Sequence, residues 1–307
     1  MKKLVIAGAA GLVGQNLVPR LKGAYDIVAI DKHAANLAVL RRLHPDIEVI
    51  EADMAEPGRW QEAVANAEAL VMLQAQIGGL DPKPFERNNI ASSRLALAAA
   101  EGGACRYLVH VSSSVVNSMA VDLYTESKKA QEAVVAASSI KHVILRPTLM
   151  FGWFDRKHLG WLRRFMDRAQ VFPVPGDGKF LRQPLYAGDF AAICAACVER
   201  EIEGAYNISG LETIDYIDLI RLVREVTGSR TPVVKIPFWL FGALLRAYAL
   251  VDRNPPFTVA QLKALATPDV FEVIDWPGIF GVQATPLRRA LEETFTHPQY
   301  ADVVLEF

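Results

Sequence analysis

The chain has 307 residues, about half of them apolar, enough to bury a large core in one big domain or two smaller ones. Its 33 lysines and arginines nearly balance 34 aspartates and glutamates, and a net charge of −1 leaves no electrostatic footprint for nucleic acid. Three cysteines, Cys105, Cys194 and Cys197, form no even disulfide framework and point to a reducing, cytoplasmic compartment.

Residues 4–7 are a short apolar run, followed by Gly8-Ala9-Ala10-Gly11-Leu12-Val13-Gly14 and then a helical pattern. This is the signature of a strand, a glycine turn and a helix. Gly8 allows a tight exit from the strand, Gly11 removes a Cβ that would block a pyrophosphate, and Gly14 lets the helix pack on the sheet. Ala10, Leu12 and Val13 then offer backbone N–H groups to a diphosphate at the helix start. Because the glycines interrupt the apolar stretch behind Lys2-Lys3, it reads as a first strand rather than a secretory leader. A second apolar run, 26–30, ends in Asp31, an acid placed to accept hydrogen bonds from an adenosine ribose. Asp31 favours NAD by repelling a 2′-phosphate, whereas Lys32 beside it leaves NADP open.

Beyond Asp31 helix and strand alternate. Helices are expected over 34–43, 58–67, 85–101 and 123–137, and strands over 47–51, 69–73, 106–111 and 143–145. Such alternation specifies an α/β fold, a Rossmann-type doubly wound parallel sheet with helices on both faces. Ligands in such sheets bind beyond the carboxyl ends of the strands. The candidates there are the glycine turn, Asp31, Asp53-Met54, Gln74-Ala75-Gln76, Val111, Ser112-Ser113-Ser114 and Pro147. Past residue 151 the rhythm loosens, with helices over 189–200 and 215–227 around a strand at 205–208. An apolar helix at 238–251, a loop at Asn254-Pro255-Pro256, a helix from Thr258 and a last helix over 287–295 follow. This division places the dinucleotide-binding domain at 1–150, with additions from about 183–210, and a smaller mixed substrate cap at 151–307.

Cys194-Ala-Ala-Cys197 lies in an apolar helical run without a second pair, and the six histidines are scattered, so no metal site is expected. The helix at 238–251 is too short, and too interrupted by Arg246, to span a membrane. It packs on the sheet domain or a second subunit, or lies as a greasy lid over an apolar substrate.

Tyr124 and Lys128 stand at i and i+4 near the start of a helix, with Asp122 as its N-cap, so both side chains share one face at the ligand edge of the sheet. A neighbouring ammonium and a cationic nicotinamide would lower the phenol from its ordinary pKa of about 10 toward the range of an acid or base. A serine hydroxyl from the preceding strand end would hold the substrate oxygen while Tyr124 exchanges its proton.

Together these motifs resemble the extended or atypical branch of the short-chain dehydrogenase/reductase superfamily, within the NAD-dependent epimerase/dehydratase group. The resemblance runs from Gly8-x-x-Gly11-x-x-Gly14 through Asp31, Asp53-Met54, Asn89-Ile90, the triple serine, Tyr124-x-x-x-Lys128 and Leu145-Arg146-Pro147 to Phe280-Gly281. It implies Tyr124 as general acid/base, Lys128 on the nicotinamide ribose, Asp53 against the adenine and Asn89 near the cofactor. The catalytic serine falls best on Ser114, with Ser113 as the alternative register. Arg182 either contacts a substrate diphosphate or is a surface cation, and Gln76 is the second substrate-side candidate.

The expectation is an NAD(P)-dependent epimerase, dehydratase or reductase acting on a small secondary alcohol or ketone, led by nucleotide sugars, in a homodimer. The alternative is a dehydrogenase or reductase of an apolar ketone, motivated by Val116-Asn117-Ser118 where sugar epimerases carry a Tyr-Gly pair and by the helix from Phe238. A non-catalytic dinucleotide-binding protein is the third reading.

Overall fold

The computed structural model of the protein describes residues 1–119, 122–251 and 270–306. The expected loop at Asn254-Pro255-Pro256 and the helix from Thr258 lie outside the described residues.

Six strands, β1 (Lys2–Ala7), β2 (Tyr25–Asp31), β3 (Glu48–Glu51), β4 (Ala69–Met72), β5 (Tyr107–Val111) and β6 (Lys141–Pro147), form one parallel sheet with the strand Gly204–Ile208. Their order is β3-β2-β1-β4-β5-β6 and then Gly204–Ile208, and the chain reverses direction of travel between β1 and β4. That reversal opens a crevice at the carboxyl ends of β1 and β4, where ligands bind in doubly wound sheets.

The period-two pattern of the strands sorts the core into two layers. Leu4, Ile6, Ile27, Ala29, Val71, Val109 and Leu145 face helices α1 (Leu12–Leu21) and Ala187–Arg200. Val5, Ala7, Val28, Ile30, Leu70, Met72 and Leu108 face the other side. There they meet Trp60 and Val64 of the helix Trp60–Ala65, Ala96 and Leu97 of Ser92–Glu101, and Val135 of Leu123–Ala136. Cys194 and Cys197 are buried in the first layer as free thiols, and no group of His, Cys, Asp and Glu fit for a metal exists among the described residues.

A third core lies in the second half of the chain. Phe151, Leu162, Met166, Phe172, Val174, Ile217, Ile220, Leu291 and Phe295 close on each other between the helices Leu159–Arg168, Tyr216–Thr227 and Leu287–Thr296. Asp189 ties this part to the sheet helices by accepting from Thr285 N (2.9 Å) and Oγ1 (2.6 Å). Among the described residues no helix is long and apolar enough to cross a membrane.

The stretch expected as one long helix after β4 departs from the sequence expectation. In place of a single helix over 85–101 the chain forms a short α-helix, Pro82–Phe85, a π-helical turn, Glu86–Ala91, and then the helix Ser92–Glu101. The wide turn seats Asn89 inward with no exposure to solvent, and hydropathy spacing carries no signal for it.

Candidate active site

The three glycines of the first turn differ in what the protein itself requires of them. Gly8 has φ +76°, and a Cβ there would lie 2.7 Å from Gln74 N. At Gly14 a Cβ would lie 2.5 Å from Ala9 Cα, so both positions are closed by packing. At Gly11 the nearest neighbour of a Cβ would be Gly8 O at 3.5 Å, an ordinary contact. The bare Cα of Gly11 is therefore unexplained by the chain's own packing and leaves a cradle at the start of α1, where Gly11 is itself the N-cap.

Two further features fit a dinucleotide there. Asp31 accepts from Ala10 N (3.0 Å) and His33 N (3.0 Å), which fixes its carboxylate beside the turn. The Gln74 amide, next to Gly8, is buried with both polar atoms unpartnered by the protein. A buried unpartnered amide is costly, and a bound polar ligand would satisfy it.

Asp53 anchors a charged cluster at the neighbouring strand end. It accepts from Ala55 N (3.0 Å) and Arg87 Nη1 (2.6 Å), with Lys32 Nζ at 3.5 Å. Burial works against ionisation of Asp53, but the Ala55 amide and the two cations outweigh it and hold the carboxyl below its ordinary value. Lys32 also donates to Asn88 Oδ1 (2.8 Å). Arg87, absent from the sequence candidates, also binds Glu56 (3.0 Å). Met54 packs its side chain into the core, Leu12 and Val13 are half-buried, Ala75 is exposed, and Pro147 closes β6 against Ile208.

Tyr124 and Lys128 enter from the first turns of the helix Leu123–Ala136, capped by Asp122, which accepts from Thr125 N at 2.9 Å. The Ser113 side chain acts on the Tyr124 phenol and favours its ionised form. Of the two candidate registers, Ser113 is the serine that bears on the phenol's ionisation; the chain leaves β5 in an extended residue at Ser113, and Ser114 opens a 3₁₀ turn. The phenol also differs from expectation: burial raises it, the Ser113 side chain opposes that rise, and Asp122 adds to it. In the chain alone, desolvation outweighs whatever lowers the phenol.

Lys128 is fully buried and donates to Val111 O (3.0 Å) and Gln131 Oε1 (2.5 Å). Burial lowers it to about 7, with Glu132 acting the other way. Asn89 sits below the site: its Oδ1 accepts from Gln76 N (2.6 Å), and its Nδ2 donates to Gln76 O (3.1 Å) and Ser127 Oγ (2.8 Å). Ser127 in turn donates to Tyr124 O (2.8 Å). Asn89 therefore braces the loop after β4 against the helix of the dyad. Gln76 is part of the same brace, its Oε1 accepting from Asn88 Nδ2 (3.0 Å). Ser127 lay in no sequence expectation, although its position three residues after Tyr124 puts the two on one face of the helix.

Arg182 stands apart, on the antiparallel pair formed by Leu181–Arg182 and Ile214–Asp215. Its Nη1 donates to Leu181 O (2.8 Å), and its charge faces Tyr216, whose buried phenol it pulls down against desolvation.

Comparison with known proteins places these features in a lineage. A ceramide reductase of Caulobacter vibrioides is 26% identical over 263 residues, covering 82% of this chain and 80% of the relative. A UDP-glucose 4-epimerase of Vibrio cholerae is 22% identical, covering 82% and 85%. Among solved structures, the UDP-glucuronic acid 4-epimerase of Bacillus cereus in complex with NAD superposes with a TM-score of 0.72 at 20% identity, over 95% of this chain and 94% of that one. The sequence model of the NAD dependent epimerase/dehydratase family matches residues 4–209, about two-thirds of the chain, and the protein belongs to that family.

Proposed function

We propose that this protein is an NAD-dependent enzyme that interconverts a secondary alcohol and a ketone on a small-molecule substrate. The observation that supports the reading is the placing of Tyr124 and buried Lys128 on the first turns of one helix, with Ser113 acting on the phenol and Lys128 bound to the carbonyl of Val111 at the carboxyl end of β5. The Gly11 cradle and the N–H groups of α1 would hold the diphosphate, Asp31 the adenosine ribose, and Lys128 the nicotinamide ribose. NAD, when bound, supplies the hydride acceptor or donor. Ser113 orients the substrate oxygen toward Tyr124. Tyr124 takes or returns its proton, and the Lys128 ammonium favours the phenolate. The choice of NAD over NADP is supported by Lys32, which is engaged by Asp53 and Asn88 and so does not offset the repulsion of Asp31 for a 2′-phosphate.

For the substrate, a nucleoside diphosphate sugar is supported by Arg182 on the cap and by the family's epimerases. A second reading, an apolar ketone or alcohol, is favoured by the rim of the site. The loops after β4, β5 and β6, adjacent strands of one edge, expose Ile77 (59%), Leu80 (98%), Met119 (97%) and Leu149 (49%). No charged residue occurs in 74–80 or 112–119, and the Caulobacter relative named for a lipid substrate points the same way. Division into a nucleotide domain and a cap near residue 150, a homodimer and a cytoplasmic location complete the proposal.

The test is release of cofactor from the denatured protein, with thermal-shift screens of nucleotide sugars and long-chain ketones. Retained NAD and stabilisation by a nucleotide sugar support the first substrate reading. Oxidation of added NADH by a long-chain ketone supports the second. A protein that binds neither NAD nor NADP overturns the whole proposal.

A further inference from the structure

A directed chain of buried hydrogen bonds runs from the π-helical turn to the lysine of the dyad. Ser93 Oγ donates to Asn89 O (2.7 Å) and accepts from Gln131 Nε2 (2.9 Å), while Gln131 Oε1 accepts from Lys128 Nζ (2.5 Å). Ser93, Gln131 and Lys128 are all 0% exposed. The orientation of each group follows from the one before it. A hydroxyl has one proton, and the Asn89 carbonyl takes it, so Ser93 can only accept from Gln131. Gln131 must then turn its NH2 to Ser93 and its carbonyl oxygen to Lys128. The turn that carries Asn89 thus dictates that Lys128 meets an acceptor and not a donor.

Lys128 needs that acceptor. Among the described residues its Nζ has no carboxylate partner: Glu132, one residue along the helix from Gln131, is held in a bidentate pair by Arg146 (2.7 and 2.9 Å). The other titratable groups around it do not supply a negative charge. His110, on β5, is fully buried with both ring nitrogens unpartnered, and burial, with Lys128 and His142 nearby, keeps it neutral. Tyr124, one helical turn earlier, is a neutral phenol raised by burial.

We propose that Gln131 is a positioning residue whose Oε1, locked by Ser93 and the Asn89 carbonyl, holds the buried Lys128 Nζ against the Val111 carbonyl at the carboxyl end of β5. This rests on the assignment of Lys128 as the cation of the dyad. With Gln131 in place the ammonium keeps two fixed acceptors and one proton for a ligand oxygen. Without it, the buried charge loses half its protein partners and sheds its proton at lower pH.

The experiment follows the protonation of Lys128 by NMR in protein carrying isotope-labelled lysine, the signal being assigned by its loss in Lys128→Met. NAD affinity is titrated over the same pH range. Gln131→Met is expected to lower the Lys128 midpoint by about one pH unit or more, the loss of one hydrogen bond to a charged group. Gln131→Glu is expected to raise it, and Ser93→Ala, which frees the amide to turn over, to fall between wild type and Gln131→Met. A midpoint unchanged in all three, with only the melting temperature reduced, overturns the proposal. If Gln131→Met fails to fold, the opposite shifts of Gln131→Glu and Ser93→Ala decide alone, and the absence of both overturns it. The two readings separate cleanly. Midpoints that move in a protein that binds no NAD leave Gln131 as the lysine's anchor and sink the redox function; unmoved midpoints in a protein that binds NAD and turns over do the reverse.

Discussion

The Ser113 hydroxyl, at the exit of β5, acts on the Tyr124 phenol, at the entry of the helix Leu123–Ala136, and opposes the rise that burial imposes on it. A phenol buried in this way is held protonated, so its partner at the strand end decides how readily it ionises. Replacement of Tyr124 by phenylalanine removes the transferable proton and leaves the ring. Turnover on an identified alcohol or ketone should fall roughly 10²- to 10⁴-fold while NAD binding and melting temperature change little. Steady-state kinetics beside a cofactor titration make the comparison, and a Tyr124→Phe protein at full rate would remove the phenol from the chemistry.

The two serines give a paired prediction. Ser113→Ala deletes the group that acts on Tyr124 and should lower kcat by a factor of the same order as other oriented donors, about 10² or more. Ser114→Ala alters the first residue of a 3₁₀ turn and should stay within a few-fold of wild type. The reverse order of severity would return the catalytic role to Ser114.

The glycines predict a separation of stability from binding. Gly14→Ala drives a Cβ to within 2.5 Å of Ala9 Cα and should destabilise the fold by about 1–3 kcal/mol. Gly11→Ala meets nothing closer than 3.5 Å within the protein, and its φ of −80° suits alanine. Its melting curve should match wild type, yet NAD should bind about tenfold more weakly or worse, a loss of about 1.4 kcal/mol. Unfolding curves and NAD titrations on both variants test the pair. Equal NAD affinity in Gly11→Ala would mean that no diphosphate approaches this turn.

These contrasts show where sequence carries the structure and where it stops. The strand pattern is legible because apolar side chains at alternate positions have only two faces to occupy, and the parallel order follows from helices between them. The Tyr124/Lys128 pair is legible because i and i+4 share a helix face wherever the helix lies. The register of the serines is not, since one residue of shift between Ser113 and Ser114 depends on the torsion at a strand exit. The π-helical turn is equally silent in the sequence, yet it carries the Asn89 carbonyl that accepts from Ser93 at the head of the bonds through Gln131. Lys32, just past the end of β2, and Arg87, in the π-helical turn, meet on Asp53, a relationship only the fold creates.

Lys128 predicts a pH-dependent stability of definite sign. In the unfolded chain it titrates near 10.5, and in the folded protein burial lowers it to about 7. Between those values the unfolded chain holds a proton that the folded one lacks, so stability rises with pH at up to about 1.4 kcal/mol per pH unit. Below pH 7 both states carry the proton and the full cost of the buried charge is present. Cys105 is pushed up to about 11 and Cys197 to about 12 by burial, and these thiols impose a slope of opposite sign in the alkaline range. The measurement is therefore a difference: unfolding free energy of wild type and Lys128→Met, each from pH 6 to pH 10. The thiols cancel between the two proteins, apart from small changes at His110, which loses a neighbouring cation. Relative to wild type, Lys128→Met should be most favourable at and below pH 7 and lose that advantage steadily toward pH 10. A difference independent of pH would show that Lys128 keeps its proton throughout the range, and that Gln131 and Val111 compensate its burial in full.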